Sequence, residues 1–198
     1  MFLSMILISA LIGCSNMSGI ATVANTAMEA VGIKKPELPA IPELPDIQKP
    51  PRTIQINLHA GENLNVNENG RPLALITKVY KLRQNSSFQQ TSYETFLSPQ
   101  KEKEALGADL LEVKEITLIP GQRYQVEEKV SREAYFIGVV ALFRSPAGQR
   151  WRASFATSEI EKTGITVGLH ACALSVGVGK ASEATAQKTA SLSSVRCQ

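Results

Sequence analysis

Runs of alternating apolar and polar residues, separated by turn-forming residues, constrain the fold of this chain more than any other sequence feature. In the clearest run, Ile54, Ile56 and Leu58 alternate with Gln55 and Asn57. Successive side chains of a β-strand point to opposite faces, so a two-residue period indicates a strand with one buried face. The strands predicted in this way are 54–58, 73–82, 116–118, 124–130, 151–155, 165–172 and 192–195. Many short strands with turns between them predict a β-sandwich.

A continuous apolar run extends from Ala134 to Phe143. A transmembrane helix needs about 20 apolar residues, so this run is too short to span a bilayer as a helix. Its β-branched and aromatic residues favour a strand instead. We therefore predict a central strand that is buried on both faces.

Two short helices are predicted between the second and third strands. The first begins at Thr91, because Glu94 follows it at the spacing of a capping box. The second begins at Ser98-Pro99, an N-cap followed by proline at the first helical position, and it ends at Gly107.

The helical segment 91–107 is predicted to be an insertion between strands and not a second domain. Its charged run, 101–104, is expected to face solvent. The predicted fold is therefore all-β, a two-sheet β-sandwich spanning residues 52–198 with a short helical insertion.

The N-terminal segment, residues 1–13, is uncharged and almost entirely apolar. Thirteen residues of helix reach about 20 Å, which is the length of a signal-peptide core and less than a bilayer requires. It ends in Leu11-Ile12-Gly13-Cys14, which resembles the lipobox of bacterial lipoproteins. We predict cleavage before Cys14 and lipid attachment to its sulfur; the alternative is a buried cysteine after an apolar stretch. An Asp directly after the lipidated cysteine would favour retention in the inner membrane. Ser15 occupies that position here, so the outer membrane is favoured.

A proline-rich segment follows within the predicted tether, residues 14–51. Proline recurs at every third position from Pro36 to Pro45, the period of a polyproline II helix. At about 3.1 Å per residue, residues 36–51 would extend roughly 50 Å as a semi-rigid spacer. An aliphatic edge runs along it, formed by Leu38, Ile41, Leu44 and Ile47. A plain spacer and a docking edge both fit this pattern.

Cys172 and Cys197 form an even pair once Cys14 carries lipid. In an oxidising compartment such a pair predicts a disulfide. The alternative is two unpaired thiols.

Residue types that carry catalysis are sparse. His59 and His170 have no second histidine at a metal-binding spacing, and no nucleophile or phosphate-binding motif is present. The formal net charge of +3 is spread along the chain, whereas nucleic-acid binding requires clustered Lys and Arg. We therefore predict no enzyme activity, no cofactor, no metal and no nucleic-acid partner.

The loop Gly61–Pro72 is the candidate binding feature. It is long for a connection between strands, and it holds Leu64 and Val66 among asparagines. We predict that it binds a partner, with these two side chains as exposed apolar anchors. The predicted binding residues are Asn63, Leu64, Asn65, Val66, Asn67 and Arg71. The alternative is an idle loop in which Leu64 and Val66 fold back onto the sandwich.

An ordered set of sequence strings from about Arg52 to Leu169 resembles one protein family. The strings are Asn65-Val66-Asn67-Glu68-Asn69-Gly70-Arg71-Pro72-Leu73, Val79-Tyr80-Lys81-Leu82, Leu106-Gly107-Ala108-Asp109-Leu110-Leu111, Pro120-Gly121, Tyr135-Phe136-Ile137-Gly138-Val139-Val140-Ala141-Leu142-Phe143-Arg144 and Trp151-Arg152. They are similar to segments of the TssJ lipoproteins of type VI secretion systems. The proline-rich tether and the tail from Cys172 to Cys197 depart from the family pattern.

The resemblance implies a transthyretin-like two-sheet sandwich and a structural role. It implies that the protein anchors a secretion complex to the outer membrane by binding the periplasmic C-terminal domain of TssM, partly through the loop Gly61–Pro72. Two rivals are a pilotin or chaperone-like lipoprotein and a glycan or small-molecule binding module. A low aromatic content, 6%, argues against the last of these.

Overall fold

The computed structural model describes residues 45–182, 186, 189, 192 and 195–197. Within 45–182 it has eight strands and four short α-helices. In chain order they are β1 (Arg52–Ala60), β2 (Leu75–Leu82), α1 (Ser86–Gln90), α2 (Tyr93–Phe96), α3 (Pro99–Leu106), β3 (Leu110–Leu118), β4 (Arg123–Val130), β5 (Phe136–Ala141), β6 (Arg152–Ala156), α4 (Thr157–Ile160), β7 (Ile165–Leu169) and β8 (Leu174–Val178). The predicted signal peptide, Cys14 and the tether up to residue 44 lie outside the described residues.

The strands form two four-stranded sheets, which confirms the predicted sandwich. The first sheet has the order β4-β1-β7-β8 and the second the order β3-β2-β5-β6. The pairing of β1 with β7 is parallel, and the other pairings are antiparallel. The alternation predicted for β1 is observed, since Ile54, Ile56 and Leu58 are fully buried. β1 and β2 belong to different sheets, so the loop between them crosses from one sheet to the other.

The helices α1 and α2 supply aromatic rings that pack against the second sheet. Phe88 and Phe96 lie 5.4 Å and 5.8 Å from the ring of Tyr80, measured between ring centroids. Gly138 in β5 lies directly under Phe88, because a Cβ built there would be 2.7 Å from its Cζ. The central position of β5 and the burial of Ile137, Val139 and Val140 confirm a strand covered on both faces.

The helical insertion was predicted, but two of its details were wrong. Thr91 does not start a helix with a capping box: its hydroxyl donates to the Ser87 carbonyl at 2.7 Å, and Ser92 is the N-cap of α2. Helix α1 was missed, because its sequence, SSFQQ, has no strong helical pattern. The second helix does start after Ser98 and ends at Gly107.

The charged run 101–104 does not face solvent throughout. Glu102 is buried, and its carboxylate accepts a hydrogen bond from the Lys78 ammonium at 2.5 Å. The same ammonium donates to the Phe96 carbonyl at 3.1 Å. This buried ion pair joins α3 and α2 to β2, so one glutamate of the run attaches the insertion to the sheet.

The C-terminal strands differ from the prediction. β7 ends at Leu169 and does not continue through Cys172, because the chain turns at 170–173 and returns as β8. Leu192 and Val195, the described ends of the predicted last strand, lie in irregular structure. Ala181 forms an isolated bridge with Phe155, at the edge of the second sheet.

Ion pairs join the two sheets along the edge formed by β3 and β4. Glu128 of β4 lies 2.6 Å from the ammonium of Lys114 in β3 and 3.4 Å from that of Lys81 in β2. Burial alone raises the pKa of the Glu128 carboxyl, but the two ammonium groups outweigh that effect and the net pKa is lowered. The hydrogen bond to Glu128 raises the pKa of Lys114.

Among the described residues, no helix is long and apolar enough to cross a membrane.

Candidate partner-binding site

Three segments meet at the end of the sandwich where β1 finishes; we call this the loop end. They are the β1–β2 loop (61–74), the β5–β6 connection (142–151) and the turn 170–173. The backbone amides of Asn65 and Val66 donate to the carbonyls of His170 and Ala171 at 3.0 Å and 3.1 Å. The Ala147 amide donates to the Cys172 carbonyl at 2.8 Å. The turn 170–173 therefore holds both long loops by their backbones.

Leu64 is not an exposed anchor, and this part of the prediction was wrong. Its side chain is fully buried and belongs to the hydrophobic core. Backbone hydrogen bonds fix it there, because its amide donates to Gly61 and its carbonyl accepts from Leu73. Apolar side chains in a loop lose contact with water when the loop folds back, and Leu64 follows that rule. Val66 remains half-buried at the surface.

Asn65 is buried and supports the loop from within. Its backbone adopts a positive φ of 47°, which asparagine tolerates better than most residues. Its side-chain amide donates to the Ala74 carbonyl at 2.8 Å, and its side-chain oxygen accepts from the Arg144 amide at 2.8 Å. With both sides of the carboxamide used internally, Asn65 does not offer the polar contact that was predicted for it.

The exposed surface of the β1–β2 loop is its tip, which Asn67 holds in shape. The Asn67 side-chain oxygen accepts hydrogen bonds from the amides of Asn69 and Arg71 at 3.0 Å and 2.9 Å. Gly70 completes the turn with a φ of 72°. Arg71 and, nearer the start of the loop, Asn63 are exposed. Of the predicted binding residues, Asn63, Val66, Asn67 and Arg71 therefore reach the surface.

The predicted disulfide between Cys172 and Cys197 is confirmed, with the two Cα atoms 5.6 Å apart. It lies at the loop end, where it separates two clefts. A cleft of about 630 Å³ lies between the disulfide and the loop tip. Its lining residues are Val66, Asn67, Glu68, Gly70, Arg144, Ser145, Cys172 and Cys197. The second cleft, about 250 Å³, is lined by Asn63, His170, Ala171, Cys172, Ala173, Leu192, Val195 and Cys197.

Charged groups at the loop end are mainly cationic. Arg144 pairs with Glu68 at 2.8 Å across the mouth of the larger cleft. Arg71 and Arg196 are exposed and have no ion-pair partner among the described residues. Burial lowers the pKa of His170, whose Nε2 lies 3.0 Å from the Ser175 hydroxyl.

Sequence reasoning missed the contribution of Arg144 and of the turn 170–173 to this site. The only sequence signal for the first was the turn-forming string at 145–148, which predicted a loop but not its location. Within the described ranges, no group of three His, Cys, Asp or Glu side chains could hold a metal ion. The loop end can therefore offer shape, backbone polarity and positive charge to a partner.

The opposite end of the sandwich holds the start of the domain; we call it the tether end. Asp46–Gln48 forms a 3₁₀ turn, so the polyproline II spacer predicted up to Pro51 does not extend through these residues. The Asp46 carboxylate lies 2.7 Å from the Arg52 guanidinium, and Glu161 bridges Arg52 and Arg132 at 3.1 Å and 3.2 Å. Ile47 of the predicted aliphatic edge is 61% exposed and does not dock on the domain. Leu38, Ile41 and Leu44 lie outside the described residues.

Comparisons with known proteins agree with this architecture. The chain of a structure described as a type VI membrane complex is 25% identical, with a TM-score of 0.59 over 64% of this chain and 98% of that one. The lipoprotein TssJ1 from Pseudomonas aeruginosa is 26% identical, with a TM-score of 0.57 over 66% and 98%. A chain of a structure described as the TssM C-terminal domain (869-1107) from EAEC is 25% identical, with a TM-score of 0.57 over 64% and 98%.

No relative is found among curated proteins. The T6SS-SciN family model, which describes the type VI secretion lipoproteins VasD, EvfM and TssJ, matches residues 52–172. That match covers more than half of the 198 residues and confirms the resemblance. The chain therefore belongs to the type VI secretion lipoprotein family that includes TssJ.

Proposed function

We propose that this protein anchors the membrane complex of a type VI secretion system by binding the periplasmic C-terminal domain of TssM through its loop end. Family membership supports the secretion role, and the similar chain in the structure described as the TssM C-terminal domain supports that partner. The role is structural and not catalytic. The observation that carries the proposal is the position of the rigidly held loop 61–74, at the end of β1 away from the tether.

The proposed anchor is a lipid on Cys14, with cleavage after Gly13. The string Leu11-Ile12-Gly13-Cys14 supports it, and the family consists of lipoproteins. Ser15 supports the outer membrane as the destination. Residues 14–51 would connect that lipid to the tether end of the domain.

The proposed contact surface is the exposed part of the β1–β2 loop. Four of its side chains reach the surface: Asn63, Val66, Asn67 and Arg71. Leu64 and Asn65 are buried and stabilise the loop conformation. A rigid loop loses little conformational entropy on binding, so its few exposed side chains can contribute most of the affinity.

A titration of the TssM periplasmic domain against the full chain in detergent tests this role. We expect the pair Val66→Asp with Arg71→Glu to weaken binding at least tenfold, because it places two negative charges on the surface of the loop. The matched control is Ile47→Asp with Lys162→Glu, which makes the same two changes at exposed positions of the tether end. Equal affinity of the loop variant and the control, with both folded, would contradict the loop contact.

Lipid attachment is tested separately. Metabolic labelling with a radioactive fatty acid should label the wild-type chain, and Cys14→Ser should abolish the label. A label that persists on Cys14→Ser would remove the lipid from the proposal. The side chains that line the two clefts at the loop end include no Phe, Tyr or Trp, so neither cleft favours the rival glycan-binding module.

A further inference from the structure

β3 is an edge strand of the second sheet. Among the described residues it pairs with β2 alone, so the backbone groups that point away from β2 have no strand partner there. Such an edge can accept a further strand, because its unpaired amides and carbonyls are a template for hydrogen bonds. Of the four strands at the sheet edges, β3 is the longest, with nine residues.

A groove of about 400 Å³ separates this strand from α3. β3 lines it with Leu111 and Val113, and α3 lines it with Pro99 and Lys103. Val113 is 43% exposed, although it occupies the middle of a strand. A strand added to the edge would cover this apolar side chain and remove it from water.

Two oppositely charged side chains on the walls of the groove have no ion-pair partner among the described residues. They are Lys103 of α3 and Glu115 of β3, and both are exposed. A surface that carries an unpaired charge of each sign can be complementary to a second copy of itself. Across a two-fold axis, the positive group of each copy faces the surface that carries the negative group of the other.

The charges along β3 select one register for pairing with a second copy. In an antiparallel pair related by a two-fold axis, the residue on the axis lies opposite itself and its two neighbours lie opposite each other. With Val113 on the axis, Glu112 of each copy lies opposite Lys114 of the other. An axis at Glu112, Lys114 or Glu115 would place two like charges opposite each other, which destabilises a pair of strands. Within 112–115, only Val113 brings opposite charges together.

The ion pairs that Glu112 and Lys114 already make leave capacity for this contact. Glu112 accepts from Lys81 through Oε2 at 2.8 Å, and Lys114 donates to Glu128 at 2.6 Å. A carboxylate can accept several hydrogen bonds on its two oxygens, and an ammonium has three donors. A second copy can therefore add a partner to each group without breaking the existing pair.

We propose that β3 pairs with β3 of a second copy of this chain, antiparallel and centred on Val113. The two four-stranded second sheets then form one sheet of eight strands. The two Val113 side chains cover each other, and Glu112 and Lys114 form ion pairs across the axis. The contact follows the edge of the sandwich and leaves the loop end free, so it goes beyond the proposed function and does not rest on it.

Disulfide crosslinking of the full chain in detergent tests the register. In a Cys14→Ser background an added cysteine is the only thiol, because Cys172 and Cys197 are joined. Val113→Cys should give a covalent dimer, since the Cβ atoms of residues directly opposite each other are about 4.5–5.5 Å apart. The matched control is Thr117→Cys, an exposed position on the same face of β3. Its two copies would be about 27 Å apart and should not crosslink.

Light scattering of the full chain in detergent tests the charges. Glu112→Lys and Lys114→Glu should each weaken self-association at least tenfold, because like charges then lie opposite each other at two places. A mixture of the two variants should restore it, since each lysine again lies opposite a glutamate. The control is Lys162→Glu, an exposed charge reversal between α4 and β7, which should associate as the wild type does. A melting curve accompanies each variant, and if a charge variant is destabilised, crosslinking of Val113→Cys decides.

The outcomes also separate this inference from the proposed function. A wild-type chain that stays monomeric at millimolar concentration, or equal crosslinking of Val113→Cys and Thr117→Cys, would overturn the pairing. If the wild type is monomeric and Val113→Asp weakens binding of the TssM periplasmic domain, the edge binds that partner and not a second copy. The loop variant, Val66→Asp with Arg71→Glu, should self-associate like the wild type, so loss of the loop contact leaves the pairing of β3 intact.

Discussion

Leu64 shows how one residue can appear functional in the sequence and be structural in the fold. It lies in a polar loop, yet it is fully buried. The neighbouring Asn65 is structural as well, because its side chain donates a hydrogen bond to the Ala74 carbonyl and accepts one from the Arg144 amide. Sequence alone could not separate these residues from Val66, because the loop has no periodicity that marks one face.

Leu64→Ala should therefore act on stability. Truncation of a buried leucine to alanine costs about 2–5 kcal/mol, since it removes apolar contacts and leaves a cavity. The matched control is Leu73→Ala, a half-exposed leucine at the end of the same loop, for which we expect a much smaller loss. Urea unfolding of each variant gives the free energy of unfolding. Equal losses at the two positions would contradict the burial of Leu64.

Glu128 makes stability depend on pH in the acid range. Its pKa is lower in the folded state than its ordinary value of 4.5, so the unfolded chain binds more protons there. The stabilisation is fully present above pH 4.5 and is lost as the pH falls through the lower, folded pKa.

We therefore expect Glu128→Gln to be less stable than the wild-type chain at neutral pH, and the difference to shrink at about pH 3. Urea unfolding at both pH values measures it. Glu127→Gln, at an exposed neighbouring position, is the control. A difference that stays constant with pH would exclude the ion pairs of Glu128 as its source.

At the scale of elements, the helical insertion depends on the ion pair between Lys78 and Glu102. Both side chains are buried, and they join α3 to β2. Removing one partner of a buried pair leaves an uncompensated charge and costs about 3–5 kcal/mol, whereas replacing both partners by apolar residues can be neutral.

We expect Glu102→Ala to destabilise the fold by that amount, and Lys78→Met with Glu102→Leu to restore most of the loss. Glu104→Ala, on an exposed position of the same helix, should have little effect. Thermal unfolding of the four proteins, including the wild type, provides the comparison. A double variant as unstable as Glu102→Ala would show that the pair itself is required.

Sequence patterns were sufficient where strand geometry alone sets which side chains are buried, and insufficient where contacts are long-range. The alternation in β1 and the apolar run of β5 predicted their burial correctly, because these patterns follow from strand geometry. The charged run 101–104 was predicted to face solvent, because the sequence around it does not show that Lys78, on a distant strand, forms an ion pair with Glu102. Likewise, the turn at 170–173 carries no sequence mark, so the strand predicted at 165–172 ran past the end of β7, and β8 was not predicted.

At the scale of the whole molecule, the disulfide between Cys172 and Cys197 closes a loop with a sequence separation of 25. Closing a loop of that length stabilises the folded chain by roughly 3.5 kcal/mol in the chain-entropy model. Replacing both cysteines by serine should lower the melting temperature without abolishing the two-sheet core, which forms within residues 52–178. Calorimetry of the oxidised chain and the variant measures the loss. An unchanged melting temperature would contradict a stabilising bridge.

The arrangement of β1 has a mechanical consequence. β1 begins at the tether end and finishes at the loop end, and its nine residues span about 30 Å. It lies between β4 and β7, so its backbone is hydrogen-bonded on both sides. If the lipid and the partner of the proposed function pull at the two ends of this strand, the force acts along it, and the hydrogen bonds to β4 and β7 are loaded together in shear. Such a strand resists tension far better than one that can be peeled away bond by bond.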